Sequence, residues 1–266
     1  MGNALWGLFA PEMRHHLWLL AGFFAVLFLY QVRGILGSIV SDARKRAGDY
    51  DGALRCLRWT SLGHPSPRVL CNEGLTLCQA GRLKEAERCC RRGLAKLKSG
   101  SSYPRLHGVL GYVLLDSGRY DEAEQSFRHA IGEGDKTGAS HAGLAELLLV
   151  QGVETEKSLA YTRQGIELAQ GRPGGRVHWA HYANQAWALG LLGRGEEARE
   201  SLTLALRKPE RGLSASAIAE RHWRAGMALL AMQEPAEARK HFRMGKDADP
   251  RGKYGHRCKE LLRKTA

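Results

Sequence analysis

The first pattern along the chain is an apolar block. Between Arg14 and Arg33 eighteen residues carry no formal charge, and the run LWLLAGFFAVLFLY from Leu17 to Tyr30 is unbroken. At 1.5 Å of helix per residue, that stretch spans about 27 Å, close to the hydrocarbon thickness of a bilayer. The block predicts one transmembrane helix over residues 15–33, after a short tail at 1–14, with Trp18 and Tyr30 at headgroup level and Arg33 snorkelling outward. Residues 31–43 (QVRGILGSIVSDA) hold no small-x-small cleavage site, so a permanent anchor is expected rather than a removed signal peptide. Beyond the block the chain reads as successive helices. Loops rich in Gly, Ser, Pro or charge separate some of them: KSGSSY (98–103), QGRPGGR (170–176) and RKPERGLS (207–214).

Those helical segments repeat. In LGYVLLDSGRYDEAEQSFRHA, the residues Leu110, Gly111, Leu114, Ala123, Phe127 and Ala130 form one set, and Gly226, Leu229, Ala238, Phe242, Gly245 and Pro250 form the same set downstream. Weaker sets in phase are Gly74, Leu77, Ala86, Cys90 and Gly93; Leu144, Ala145, Leu148 and Gly165; and Ala186, Leu189, Ala198, Leu202 and Ala205. The pattern resembles the tetratricopeptide repeat family, whose units are helix-turn-helix pairs of about 34 residues. Here the second-helix marker falls at Ala53, Ala86, Ala123, Ser158, Ala198 and Ala238, giving spacings of 33, 37, 35, 40 and 40. The resemblance implies an all-α solenoid of helical hairpins: a membrane-proximal partial repeat at 34–66, about five repeats over 67–250, and a capping helix at 251–266. Gly or Ala at the small positions lets paired helices approach while Leu or Phe fills the gap, so Leu in place of Gly111 should overpack the pair. Asp121, Glu122, Glu196 and Glu197 open second helices and favour the positive end of the helix dipole.

Composition sharpens this picture. With 44% apolar and 25% charged residues the chain is of ordinary globular type. Six cysteines (Cys56, Cys71, Cys78, Cys89, Cys90 and Cys258) without a Cys-x-x-Cys spacing read as free buried thiols. The net charge is +13, and Arg55, Arg58, Arg82, Lys84, Arg88, Arg91, Arg92 and Lys96 fall mostly on second helices, toward the outer face. Arg33, Arg44, Lys45 and Arg46 after the apolar block outweigh Arg14 before it, which predicts a single-pass protein with its repeats on the cytoplasmic side. Met-Gly-Asn at the start lacks the Ser or Thr of a myristoylation signal, Trp6 standing in its place.

The resemblance also implies a concave face made by first helices that takes a peptide or helix. Carried over by repeat phase, the partner-binding positions are Cys71, Leu75, Cys78, Tyr112, Leu115, Glu146, Leu149, Trp187, Trp223 and Met227, a largely apolar and aromatic groove suited to an amphipathic segment. The alternative use of those positions is self-packing. Some relatives grip a carboxylate tail through Lys, Asn and Arg in consecutive repeats. Asn184 and Arg224 match two such positions, but Ala142, Glu146 and Glu220 break the set, so that ligand is disfavoured. No catalytic, cofactor or metal site is expected: GEGDKT (132–137) lacks the Gly-Lys pair of a phosphate loop, His178 and His181 lack a third ligand, and no Gly-x-Ser-x-Gly elbow occurs. The expected function is a membrane-anchored scaffold or adaptor that recruits a protein partner. The alternative is anionic lipid or nucleic acid on the basic outer face, although no nucleic-acid motif accompanies the charge.

Overall fold

The computed structural model describes residues 11–61, 63–171, 177–207, 210 and 212–264; side chains at 11–18, 21, 26, 27 and 29–31 lie outside the described residues. Among the described residues there are thirteen α-helices: α1 (Pro11–Arg46), α2 (Tyr50–Ser61), α3 (Pro67–Gln79), α4 (Leu83–Ala95), α5 (Pro104–Asp116), α6 (Tyr120–Gly132), α7 (Ala139–Gln151), α8 (Thr155–Gln170), α9 (Trp179–Leu191), α10 (Gly195–Leu206), α11 (Ala215–Ala231), α12 (Pro235–Ala248) and α13 (Lys253–Lys264). They pair into six hairpins, α1–α2 through α11–α12, with α13 packed on the last. From α3 onward each first helix also packs on the next first helix, which makes α3, α5, α7, α9 and α11 one continuous concave layer.

Each hairpin reverses direction through left-handed backbone, at one residue in five of the turns and at both Gly152 and Glu154 in the α7–α8 turn. Gly48, Gly81, Gly118, Gly152 and Gly193 take φ of 70–75°, a conformation that costs a side chain but not glycine, and Gln233 takes it at 62° in the last hairpin. The following residue in three of these turns is an arginine that chelates a glutamate three positions on. Arg82 holds Glu85 at 2.7 Å, Arg119 holds Glu122 at 2.5–2.6 Å and Arg194 holds Glu197 at 2.6–2.7 Å, each through two parallel hydrogen bonds. Two of the arginines also reach back one repeat, Arg82 to Asp51 at 2.9 Å and Arg119 to Glu87 at 2.7 Å. Glu122 and Glu197 therefore fasten the turn as well as facing a helix dipole.

The small-large pairing closes the hairpins. A Cβ on Gly111 would stand 2.6–2.9 Å from the Phe127 ring, and one on Gly226 would stand 2.3–2.7 Å from Phe242. Gly74 has the same relation to Cys90, at 2.7 Å from its sulfur. Cys71, Cys78, Cys89, Cys90 and Cys258 are buried, Cys56 is half-buried, and all six are free thiols.

In the N-terminal region α1 continues without a break through residue 33 to Arg46, and its second half is also the first helix of the first hairpin. Gly37 lies against Thr60 and Trp59, Ser41 Oγ donates to the Ala53 carbonyl at 3.2 Å, and Arg33 donates to the Thr60 carbonyl at 2.9 Å. Among the described residues, no helix is long and apolar enough to cross a membrane. Much of the expected span (15–18, 21, 26, 27 and 29–31) falls on side chains outside them.

Gly111→Ala should cost about 1–3 kcal/mol in urea unfolding, because its methyl group overlaps the Phe127 ring. Adding Phe127→Leu should restore part of that loss, reproducing the Ala186 and Leu202 combination of a later repeat. Additive losses in the double variant would remove the pairing as the cause.

Candidate functional site

The concave layer encloses a cavity of about 490 Å³. One wall comes from α3 and α5 through Leu75, Gln79, Arg105 and Tyr112; another comes from the starts of α7 and α9 through Thr137, Ala139 and His178; Lys253 and Tyr254 of α13 close the third side. Pro at the first position of α5 fixes the start of that helix, so that Arg105 stands in its first turn at the rim. His178 caps α9, its Nδ1 accepting from the Ala180 amide at 3.3 Å.

The floor is an ionic cluster. Arg224, 1% exposed, donates to Glu146 at 2.7 Å, to Glu220 at 2.7 and 3.2 Å, and to Asn184 Oδ1. Asn184 in turn donates to the Ala142 carbonyl at 3.0 Å. Burial works against the guanidinium charge, but Glu146 and Glu220 outweigh it and hold Arg224 well above its ordinary value. The two residues that match carboxylate-gripping positions thus spend their polar groups on this chain's own glutamates.

A second cluster fixes α13 across the concave face. Asp116, with a side chain 4% exposed, accepts from Lys253 at 2.5 Å, from Arg257 at 2.9 Å and from the Cys78 thiol at 3.4 Å. Burial raises the Asp116 carboxyl, while Lys253 and Arg257 lower it further and leave it below the usual value. Burial also pushes the Cys78 thiol up to about 12, so it stays protonated. Trp187 meets Trp223 edge-on at 5.7 Å, Trp223 meets Tyr254 at 5.4 Å, and the Arg257 guanidinium lies 5.0 Å over Trp223. On the same side, Tyr50 of the first hairpin donates its hydroxyl to Asp249, just before α13. The first and last hairpins therefore meet.

The positions expected to bind a partner divide accordingly. Cys71, Cys78, Leu115, Glu146, Leu149, Trp187 and Trp223 are buried, and Leu75, Tyr112 and Met227 are half-buried. Trp187 and Trp223 pack with α13 because its cationic and aromatic face returns over them. Of the ten, Leu75, Cys78 and Tyr112 line the cavity. Gln79, Arg105, Thr137 and Tyr254 were missed as lining residues. Repeat phase carried the signal for Arg105, one position into a first helix; Tyr254 had none, since its place depends on a contact across 137 residues between Lys253 and Asp116. His178 and His181 are adjacent, but burial lowers His181 to about 4 and keeps it neutral at pH 7. Among the described residues, no group of three or more metal-ligating side chains occurs.

Family models for the tetratricopeptide repeat match residues 104–133 and 179–202. The chain carries tetratricopeptide repeats. No curated protein matches it. Among solved structures, a tetratricopeptide repeat protein from Parabacteroides merdae is similar at 20% identity and a TM-score of 0.58, covering 89% of this chain and 84% of that one. The APC/C hetero-tetramer Cut9-Hcn1 is similar at 13% identity and a TM-score of 0.60, covering 89% of this chain and 47% of that one. PilW, a type IV pilus biogenesis factor, is similar at 14% identity and 0.52, covering 66% and 77%. At these identities the likeness is one of fold: an all-α tetratricopeptide solenoid.

Asp116→Asn should release α13 before the rest of the array, raising hydrogen exchange over residues 253–264 and costing about 3 kcal/mol, because two cations lose their common partner. Since Asp116 titrates below its ordinary value, the wild-type bridge holds at neutral pH and weakens only as pH falls below about 4. Unchanged exchange in the variant would show that the aromatic contacts alone hold the helix.

Proposed function

We propose that the protein is a non-catalytic scaffold, anchored in a membrane by the first part of α1, which holds a short segment of a partner protein in the cavity between α3, α5, α7, α9 and α13. The observation that carries this reading is the cavity itself: about 490 Å³ on the face where repeat helices take ligands, with Leu75 and Tyr112 as apolar surface and the exposed Arg105 at the rim. A segment with an apolar side chain and a nearby carboxylate fits that lining. The starts of α5, α7 and α9 at the same rim add the positive ends of their dipoles.

Support for the anchor comes from α1. Leu19, Leu20, Phe23, Phe24 and Phe28 are each more than half exposed, and with Gly22 and Ala25 they cover the whole circumference of the helix. A helix apolar on all sides belongs in the core of a large protein or in a bilayer, and the exposure of these side chains on this chain favours the bilayer. The basic residues that follow, Arg44, Lys45 and Arg46, support a cytoplasmic position for the repeats. An anchored groove raises the effective concentration of a captured partner beside membrane machinery.

A photo-crosslinking amino acid at Leu75 or Gln79, in the full chain in its native membrane, should give one discrete adduct, and the same group at the outer residue Arg128 should give none. Ala139→Trp, at an exposed position facing the cavity, should abolish the adduct by filling the space. Equal adducts from Arg128, or an adduct indifferent to Ala139→Trp, would contradict cavity binding.

A further inference from the structure

We propose that the first two hairpins form a docking surface for the anionic headgroups of the leaflet in which α1 is seated. This inference rests on the anchor reading above and adds a second, electrostatic contact to it. Between Arg33 and Lys98 the chain has fourteen Lys and Arg against six Asp and Glu, a net of +8 out of +13 for the whole protein. All six acids are already paired: Asp42 with Lys45, Asp49 with Arg44, Asp51 and Glu85 with Arg82, Glu73 with Arg58, and Glu87 with Arg91 and Arg119. The excess is therefore cationic and faces solvent. Arg55, Arg68, Arg88 and Arg92 are exposed, and among the described residues none has a carboxylate within ion-pair distance.

Placement turns this charge into a surface for a bilayer. Arg33 ends the uncharged stretch of α1, and its guanidinium donates to the Thr60 carbonyl and lies 5.5 Å over the Trp59 ring. That bond sets the end of α2 at the level where the apolar block stops. Trp59 is 54% exposed there, an indole at the height where an interface favours one. Lys96 donates to the Pro65 carbonyl at 3.0 Å and so draws the end of α4 to the same loop. Between these elements lies a cleft of about 600 Å³ lined by Arg58, Arg88 and Arg92 together with Glu73 and Glu85, whose charges Arg58 and Arg82 already answer, so that Arg88 and Arg92 are its uncompensated groups. Arginine forks match phosphate oxygens in pairs, and lysines and arginines near an anionic leaflet are attracted within a Debye length. A neutral surface offers the cleft no counter-charge.

Hydrogen exchange of the full chain in nanodiscs tests this, comparing neutral phosphatidylcholine with the same lipid containing roughly a third phosphatidylglycerol. The segments 55–61 and 88–98 should exchange ~5-fold more slowly in the anionic discs, and the protection should vanish at about 0.5 M salt. The Arg68→Gln, Arg92→Gln, Lys98→Gln variant should lose the protection while exchanging like the wild type in neutral discs, which controls for folding. Equal exchange in both discs overturns the proposal, as does the same protection by inorganic phosphate or an RNA oligonucleotide added to neutral discs. Failure of the anchor reads differently. A chain that floats only with anionic vesicles, and is released by salt, keeps the docking surface and removes the anchor; one that floats with neither removes both.

Discussion

Asp116 decides what the concave face is. A carboxylate almost out of solvent must be compensated, and both of its cations, Lys253 and Arg257, come from the last helix of the chain. Satisfying Asp116 therefore brings α13 across the array to the end of α5. Once there, α13 sets Tyr254 and the Arg257 guanidinium against Trp223, whose far edge meets Trp187. An array that repeat phase alone would leave as an open groove becomes a cavity with one wall supplied by its own C-terminal helix. The Arg224 cluster beneath it works by the same rule, with Glu146 and Glu220 answering one buried guanidinium. Two compensated charges, rather than apolar burial alone, fix the register between distant repeats.

Local chemistry made most of the fold legible. Gly111 with Phe127, and Gly226 with Phe242, are sixteen positions apart in sequence and touch in space, because the small residue admits the ring. The hairpin turns could be read from Gly81, Gly118, Gly152 and Gly193, each needed for left-handed backbone. The arginine after three of the turn glycines was equally visible, at Arg82, Arg119 and Arg194, but its role was not: a carboxylate three residues on suits a helix dipole just as well, and only geometry reveals the double hydrogen bond.

The site was less legible, for a physical reason. Repeat phase identifies which face a residue occupies, and it placed Leu75, Cys78 and Tyr112 on the cavity. It carries no information about contacts between repeats far apart in the chain. Lys253 and Asp116 are 137 residues apart, and Tyr50 and Asp249 are 199 apart, so nothing periodic announces either pair. Trp187 and Trp223 had every local mark of a binding hot spot, large aromatics on first helices, and the same marks suit an internal anchor for α13. Arg224 likewise sat at a position matching a carboxylate-gripping one, and Glu146 from two repeats earlier takes that place.

The central claim, that the first and last hairpins meet and give the concave groove a third wall, has a direct covalent test. A Cβ on Gly48 would lie 3.9 Å from the Cβ of Ala215, within the range a disulfide bridges. The left-handed backbone at Gly48 costs a cysteine about 1–2 kcal/mol, a modest penalty against an intramolecular bond. In the full chain carrying Gly48→Cys, Ala215→Cys and Cys56→Ser, mild oxidation should give a faster-migrating monomer on a non-reducing gel, with the five remaining native cysteines protected by burial. A chain that stays reduced, or that oxidises only into dimers, would mean that the ends stand apart and the groove is open.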